Sequence, residues 1–191
     1  MTVASEVARK LQELEGISTI GIHMSAEYYF DTLRAIIESF ASKNNLEVIY
    51  VTFTIPATSI SSALESLEID TKSVSFVDGI SSIMMTTTAK SDRVLYIESP
   101  TLLEYLMLKI EFIRRRTKER NSIVILDSIN SISIHNTSKV LSEFLHILSN
   151  HVRSKGGYFV VLSMKEYETE EVRNILNLIC EDRFAVGEVI E

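Results

Sequence analysis

The segment Gly21-Ile22-His23-Met24-Ser25-Ala26-Glu27-Tyr28 lies between an apolar run, 17–22, and the onset of a helical pattern. A loop in that place holds phosphates when it reads G-x-x-x-x-G-K-[ST]. The glycines expose backbone N–H groups, the lysine meets the phosphate charge and the hydroxyl reaches magnesium. Here Gly21 keeps the first glycine position. Ala26 stands at the second, Glu27 at the lysine and Tyr28 at the hydroxyl. A carboxylate repels a triphosphate, and a phenol ring fills volume that phosphates need. The spacing therefore predicts a phosphate site disabled in both charge and shape. Glu27 also reads as an ordinary first-turn acid, favoured by the helix dipole.

Other chemistry-bearing residues are sparse. Asp127 closes the clearest strand in the chain, Ser122-Ile123-Val124-Ile125-Leu126-Asp127. Such a carboxylate reads as one that accepts hydrogen bonds at a strand end and stays solvated. His23 has Glu27 four residues on, but no third metal ligand accompanies them. His146 and His151 are five apart and do not share a helix face. Arg114, Arg115, Arg116, Lys118 and Arg120 cluster near a helix end, where cations complement the dipole. They read as a solvated face, with an acidic partner or nucleic acid as alternatives. Cys180 follows Leu176, Leu178 and Ile179 and reads as a buried apolar thiol. No Ser-His-Asp order, H-E-x-x-H or C-x-x-C appears.

Composition narrows the class. With 191 residues and 46% hydrophobic content, the chain supports one sizeable core and is read as a single domain over 1–191. Lys+Arg 19 against Asp+Glu 26 gives a net charge of −7, which makes nucleic acid an unlikely partner. One cysteine excludes an intramolecular disulfide. Residues 1–20 lack a signal-peptide core, and no run reaches the roughly 18 apolar residues of a membrane span. The expectation is a cytoplasmic protein with no membrane contact, no metal and no cofactor.

The elements that must position these residues alternate. Val3, Val7, Leu11 and Leu14 recur at helical spacing and Gly16 stops them, giving an N-terminal helix over 1–16 that needs a partner surface. A strand over 17–22 follows, then a helix over 26–43 with Phe30, Leu33, Ile36, Ile37 and Phe40 on its apolar side. A strand over 46–53 leads past Pro56 to a helix carrying Ile60, Leu64 and Leu67, then to a short strand over 74–79. Residues 80–92 have no period and read as a flexible loop. A brief strand over 93–97 precedes a helix opened by Ser99-Pro100-Thr101. The Asp127 strand comes next, then a helix after Asn136-Thr137, a strand over 158–162, a helix over 170–179 and an extended piece over 183–190. Strands alternating with helices predict βαβ crossovers and a mostly parallel sheet.

Taken in order, these segments make the chain resemble the RecA-superfamily ATPases of the KaiC and RadA type. The likeness covers nearly its whole length. Residues 21–28 fall at that family's Walker A loop. The strand Val48-Ile49-Tyr50-Val51-Thr52-Phe53 matches one that the family follows with two acidic residues, where this chain has Thr54-Ile55. Val124-Ile125-Leu126-Asp127-Ser128-Ile129 resembles the Walker B strand, and Ser163 falls at a polar sensor position. The resemblance implies a RecA-like three-layer αβα sandwich. It also implies a nucleotide-binding remnant made of Gly21, Ala26, Glu27, Tyr28, Asp127 and Ser163. Neither Thr54 nor Ile55 is a general base near neutral pH, and Asp127 alone is a poor magnesium site.

The expected function is therefore non-catalytic: a pseudo-ATPase kept as an interaction or regulatory module. It would self-associate as a homo-oligomer, through the 3–14 helix or a sheet edge, or pair with an active KaiC- or RadA-like paralogue. An alternative is a binder of a nucleotide or other small ligand in the remnant crevice, at the carboxyl ends of the strands. A further alternative is a DNA-recombination accessory, against which the charge argues.

Overall fold

The computed structural model describes residues 2–85, 91–118 and 120–187. Strands β1 (Thr19–Met24), β2 (Glu47–Thr52), β3 (Val74–Asp78), β4 (Val94–Tyr96), β5 (Ser122–Asp127), β6 (Tyr158–Met164) and β7 (Asp182–Ala185) form one sheet. Their order is β4-β3-β2-β5-β6-β1-β7. Every neighbouring pair is parallel, so the sheet is wholly rather than mostly parallel. Parallel neighbours need a crossover across one face, and here both faces are covered.

One face carries α1 (Val3–Gln12), α2 (Tyr29–Arg34) and α3 (Ala57–Ser66). A single 3-10 turn, Ala26–Tyr28, leads into α2, and a π-wound stretch, Ala35–Ser42, continues it. The other face carries α4 (Leu103–Arg116), α5 (Ile129–Ser133), α6 (Ser138–Ser154) and α7 (Glu170–Ile179). Alternate strand residues feed the two cores. Ile20, Ile22, Tyr50, Ile125 and Leu162 point to the first, and Ile49, Val51, Val124, Leu126 and Val161 to the second. This three-layer α/β sandwich is the expected fold class. Side chains such as Ile125 and Leu126 are fully buried, each contributing about 1.5–3 kcal/mol relative to exposure. The N-terminal helix finds its partner surface within the chain: Val7 and Leu11 of α1 are buried in the first core.

Several boundaries differ from expectation. The first strand is Thr19–Met24, because Ile17 is exposed while His23 and Met24 continue the ladder with β6. Phe30 is exposed, its ring edge-on to Tyr29 instead of in the core. α4 starts at Leu103, not at Ser99-Pro100-Thr101, because the Ser99 and Thr101 hydroxyls bond each other and Asn136 binds the Pro100 carbonyl. α5 was not expected, and Ser128 caps it by accepting from the Ser131 N–H. Part of the 80–92 segment (86–90) and part of the 183–190 piece (188–190) lie outside the described residues. The basic cluster is not uniformly solvated. Arg114 is buried against Glu111 and the Lys155 carbonyl, Arg116 lies over the Phe112 ring, and Arg120 pairs with Glu47. Cys180 is half-buried, and burial pushes its thiol up to about 12.

Candidate functional site

The carboxyl ends of β5 and β2 meet the start of α2 in one place, and Asp127 lies at its centre. Its side chain is fully buried. Oδ2 accepts from the Tyr29 hydroxyl at 2.5 Å and the Tyr50 hydroxyl at 2.7 Å, and the two phenol oxygens are 2.8 Å apart. Oδ1 accepts from the Thr54 hydroxyl at 3.2 Å. That hydroxyl also lies 2.9 Å from the Ser131 hydroxyl, so Thr54 ties β2 to the first turn of α5. Asp127 and Thr52 are register partners on β5 and β2. Tyr50, two residues back on the same face, is therefore brought to the carboxylate by that register together with strand alternation.

The triangle of Asp127 and the two phenols has three short edges but only two hydroxyl protons when the carboxyl is ionised. A protonated carboxyl supplies the third, Oδ2 then donating to one phenol and accepting from the other. Burial pushes the Asp127 carboxyl above its usual range, and the hydrogen bonds from Tyr29, Tyr50 and Thr54 offset only part of that. Burial, then the Asp127 charge, likewise raises both phenols. A carboxyl that binds its proton more readily folded than unfolded stabilises most at low pH. That contribution declines as pH rises from the ordinary value of 3.8 through the higher folded one. Asp127→Asn lacks this titration. Wild-type stability minus variant stability, followed by chemical denaturation from about pH 3 to 7, should therefore fall across that window. A flat difference would mean that the carboxyl titrates as it does in the unfolded chain.

The remaining predicted residues are dispersed. Gly21 sits inside β1, not in a loop, paired with Val161 and Arg183. A Cβ there would lie 3.1 Å from Cys180 Sγ and 3.2 Å from Arg183 Cγ, so glycine permits a close approach of α7 and β7. Residues 21–24 are ladder residues, and only Ser25 separates β1 from the 3-10 turn. The Ala26 N–H, at the start of that turn, donates to Glu166 Oε1 at 3.1 Å. The bond from Glu166's own backbone N–H, and then this one from Ala26, hold the Glu166 carboxyl below the usual range. Glu27 is exposed. Tyr28 packs on Gly187 outside the Asp127 pocket, and a Cβ on Gly187 would stand 2.2 Å from its ring. The phenol at Asp127 is Tyr29, not Tyr28. Ser163 lies beside His23 in the β1–β6 register, fully buried with its hydroxyl unpartnered among the described residues. Ile55 packs at the border of the first core.

Sequence reasoning missed Tyr29, Tyr50, Asp78 and Asn130. Asp78, at the end of β3, accepts from the Ala57, Ile80 and Ser81 N–H groups and the Ser81 hydroxyl at 2.7–3.0 Å. Asn130 binds the Met164 backbone at N–H and the Tyr167 carbonyl, fixing α5 to the end of β6. A tyrosine in an otherwise aliphatic strand was the visible signal for Tyr50. A cleft of about 310 Å³ lined by His23, Glu168, Arg173 and Arg183 lies at the β1–β7 end of the sheet. Although burial raises Glu168, the Arg173 hydrogen bonds and the nearby cations hold it below the usual carboxylate range. Among the described residues no cluster of His, Cys, Asp and Glu has the makings of a metal site.

A solved structure with the same layering is a KaiC-like protein from the hyperthermophilic archaeon Pyrococcus horikoshii OT3. It aligns over 88% of this chain and 70% of its own length, with a TM-score of 0.59 and 11% identity. The fold is KaiC-like. No family model and no curated protein matches the chain. At this identity the likeness establishes the KaiC-like fold alone, and chemistry must be argued from the residues. Among the described residues no helix is long and apolar enough to cross a membrane.

Proposed function

We propose that this chain is a catalytically inactive KaiC/RadA-like ATPase homologue. It works as an interaction or regulatory module, by self-association or by pairing with an active paralogue of the same fold. The observation that carries this reading is the enclosure of Asp127 by Tyr29 and Tyr50. In an ATPase of this fold the equivalent carboxylate faces magnesium's water shell, whereas here both of its oxygens accept from protein hydroxyls. Two further features support it. The connection after β1 is reduced to Ser25, leaving no run of glycine N–H groups to cradle phosphate. The Glu166 carboxylate occupies the first helical N–H, where a phosphate oxygen would otherwise bind.

Isothermal titration with ATP and magnesium is expected to give no saturable heat, and a phosphate-release assay no turnover. Low-micromolar binding with turnover would overturn the reading. A small-ligand role has one observation in its favour, the His23–Glu168–Arg173–Arg183 cleft. A thermal-shift screen over nucleotides and small anions separates the two: a rise of several degrees with one ligand favours the cleft, and a flat response the interaction module.

A further inference from the structure

The face formed by α4 and α6 is apolar where a closed surface should be polar. On α4, Tyr105, Leu108 and Phe112 are 53%, 63% and 51% exposed, and on α6, Val140 and Ile147 are 50% and 59% exposed. The helices run side by side. Thr101–Tyr105 shares a cleft with Val140, Phe144 and Ile147, and further along Glu111 bonds His151. The cleft brings Tyr105 together with Val140 and Ile147, and Leu108 and Phe112 continue the exposed apolar surface along α4. Scattered single hydrophobics need no explanation, but a contiguous patch rimmed by charge marks an interaction surface.

The charges at its rim indicate what covers it. Glu104, Leu108, Phe112 and Arg115 follow a spacing of four, four and three residues, so they lie along one stripe of α4. The stripe is acidic at its first end, apolar in the middle and basic at its last. All four residues are exposed, and neither Glu104 nor Arg115 has an ion-pair partner among the described residues. Glu104 and Arg115 are about 16 Å apart along the axis. A two-fold contact sets residue i against residue j and j against i. Laid antiparallel on itself, this stripe puts each Glu104 opposite the Arg115 of the other copy, with Leu108 and Phe112 of both between them.

We infer that α4 and α6 form an isologous homodimer face in which a second copy of this chain packs antiparallel along the Glu104–Arg115 stripe. This rests on the interaction-module reading and names its surface and partner. Two helices side by side offer a footprint about 20 Å square, or roughly 800 Å² buried over the two copies, the size of a weak and transient interface. A reversible dimer, tightening with concentration, is the consequence. The face is separate from α1, which is occupied within its own chain.

Sedimentation velocity over a concentration series tests it, with circular dichroism to verify folding. The wild type should move from monomer to dimer. Leu108→Asp, at an exposed site that leaves the core intact, should stay monomeric. Glu104→Arg alone and Arg115→Glu alone should each weaken the dimer about ten-fold, since each places like charges together twice. The double variant, E104R with R115E, should recover wild-type association. A wild type that stays monomeric throughout, or a double variant no better than the singles, would overturn the face. A nucleotide titration on the same samples bears only on the absence of ATPase chemistry, so the two failures are distinguishable.

Discussion

Asp78→Ala should lower the free energy of unfolding by about 3–5 kcal/mol, because several buried donors lose this acceptor at about 1–3 kcal/mol each and local relaxation offsets part of the sum. Asp78 is fully buried, and four donors converge on its carboxylate: the N–H groups of Ala57, Ile80 and Ser81, and the Ser81 hydroxyl. The Ala57 N–H opens α3, whose Pro56 cap offers no side-chain acceptor. One carboxylate therefore ties the end of β3 to the start of α3 and to the turn at 80–83. Alanine removes the acceptor these donors share, and three of them are backbone groups that cannot turn away. Asp78→Asn keeps one acceptor oxygen and should lie between wild type and alanine. Urea denaturation measures both; an alanine loss below about 1 kcal/mol would mean that water replaces the carboxylate.

Tyr50→Ala should cost about 4 kcal/mol, within the range for deleting a buried aromatic ring. Tyr50 is among the largest fully buried side chains and its ring lies 5.6 Å from that of Phe76. Tyr50→Phe and Tyr29→Phe keep the rings and remove only the hydroxyls. Each should cost about 1–3 kcal/mol, the upper half applying when the lost bond served an ionised carboxylate. Combined with Asp127→Asn in a double-mutant cycle, the Phe variants report the coupling within the triangle. A coupling near zero would show that the three oxygens stand together without depending on one another. That result would also remove the argument that the phenols hold Asp127 away from other ligands.

The alternation of strand and helix was legible in the sequence because branched apolar runs closed by polar residues are a local signal. So were the cores: Ile123 to Leu126 reads as buried on both faces, and it is. Boundaries were less legible. Nothing local says that β1 runs on to Met24, since the ladder with β6 decides it, and that extension places Gly21 inside a strand. Likewise the winding from Ala26 to Ser42 passes from 3-10 through α to π, where the sequence reads as one uniform helix.

The sequence by itself determined which side chains are present at the ends of the strands. It has no lysine at position 27, no acid at 54 or 55, and one aspartate closing the central strand. Its alternation of strand and helix also determined a mostly parallel sheet with crossovers, and the family resemblance implied the three layers. Only the tertiary structure decided what Asp127 touches. Tyr29 comes from one stretch of chain and Tyr50 and Thr54 from another, and their convergence on Asp127 depends on the parallel register of β2 with β5 and on how the Ala26 turn enters α2. Register and helix entry are long-range properties, fixed by burial of whole faces and not by any one residue's preference.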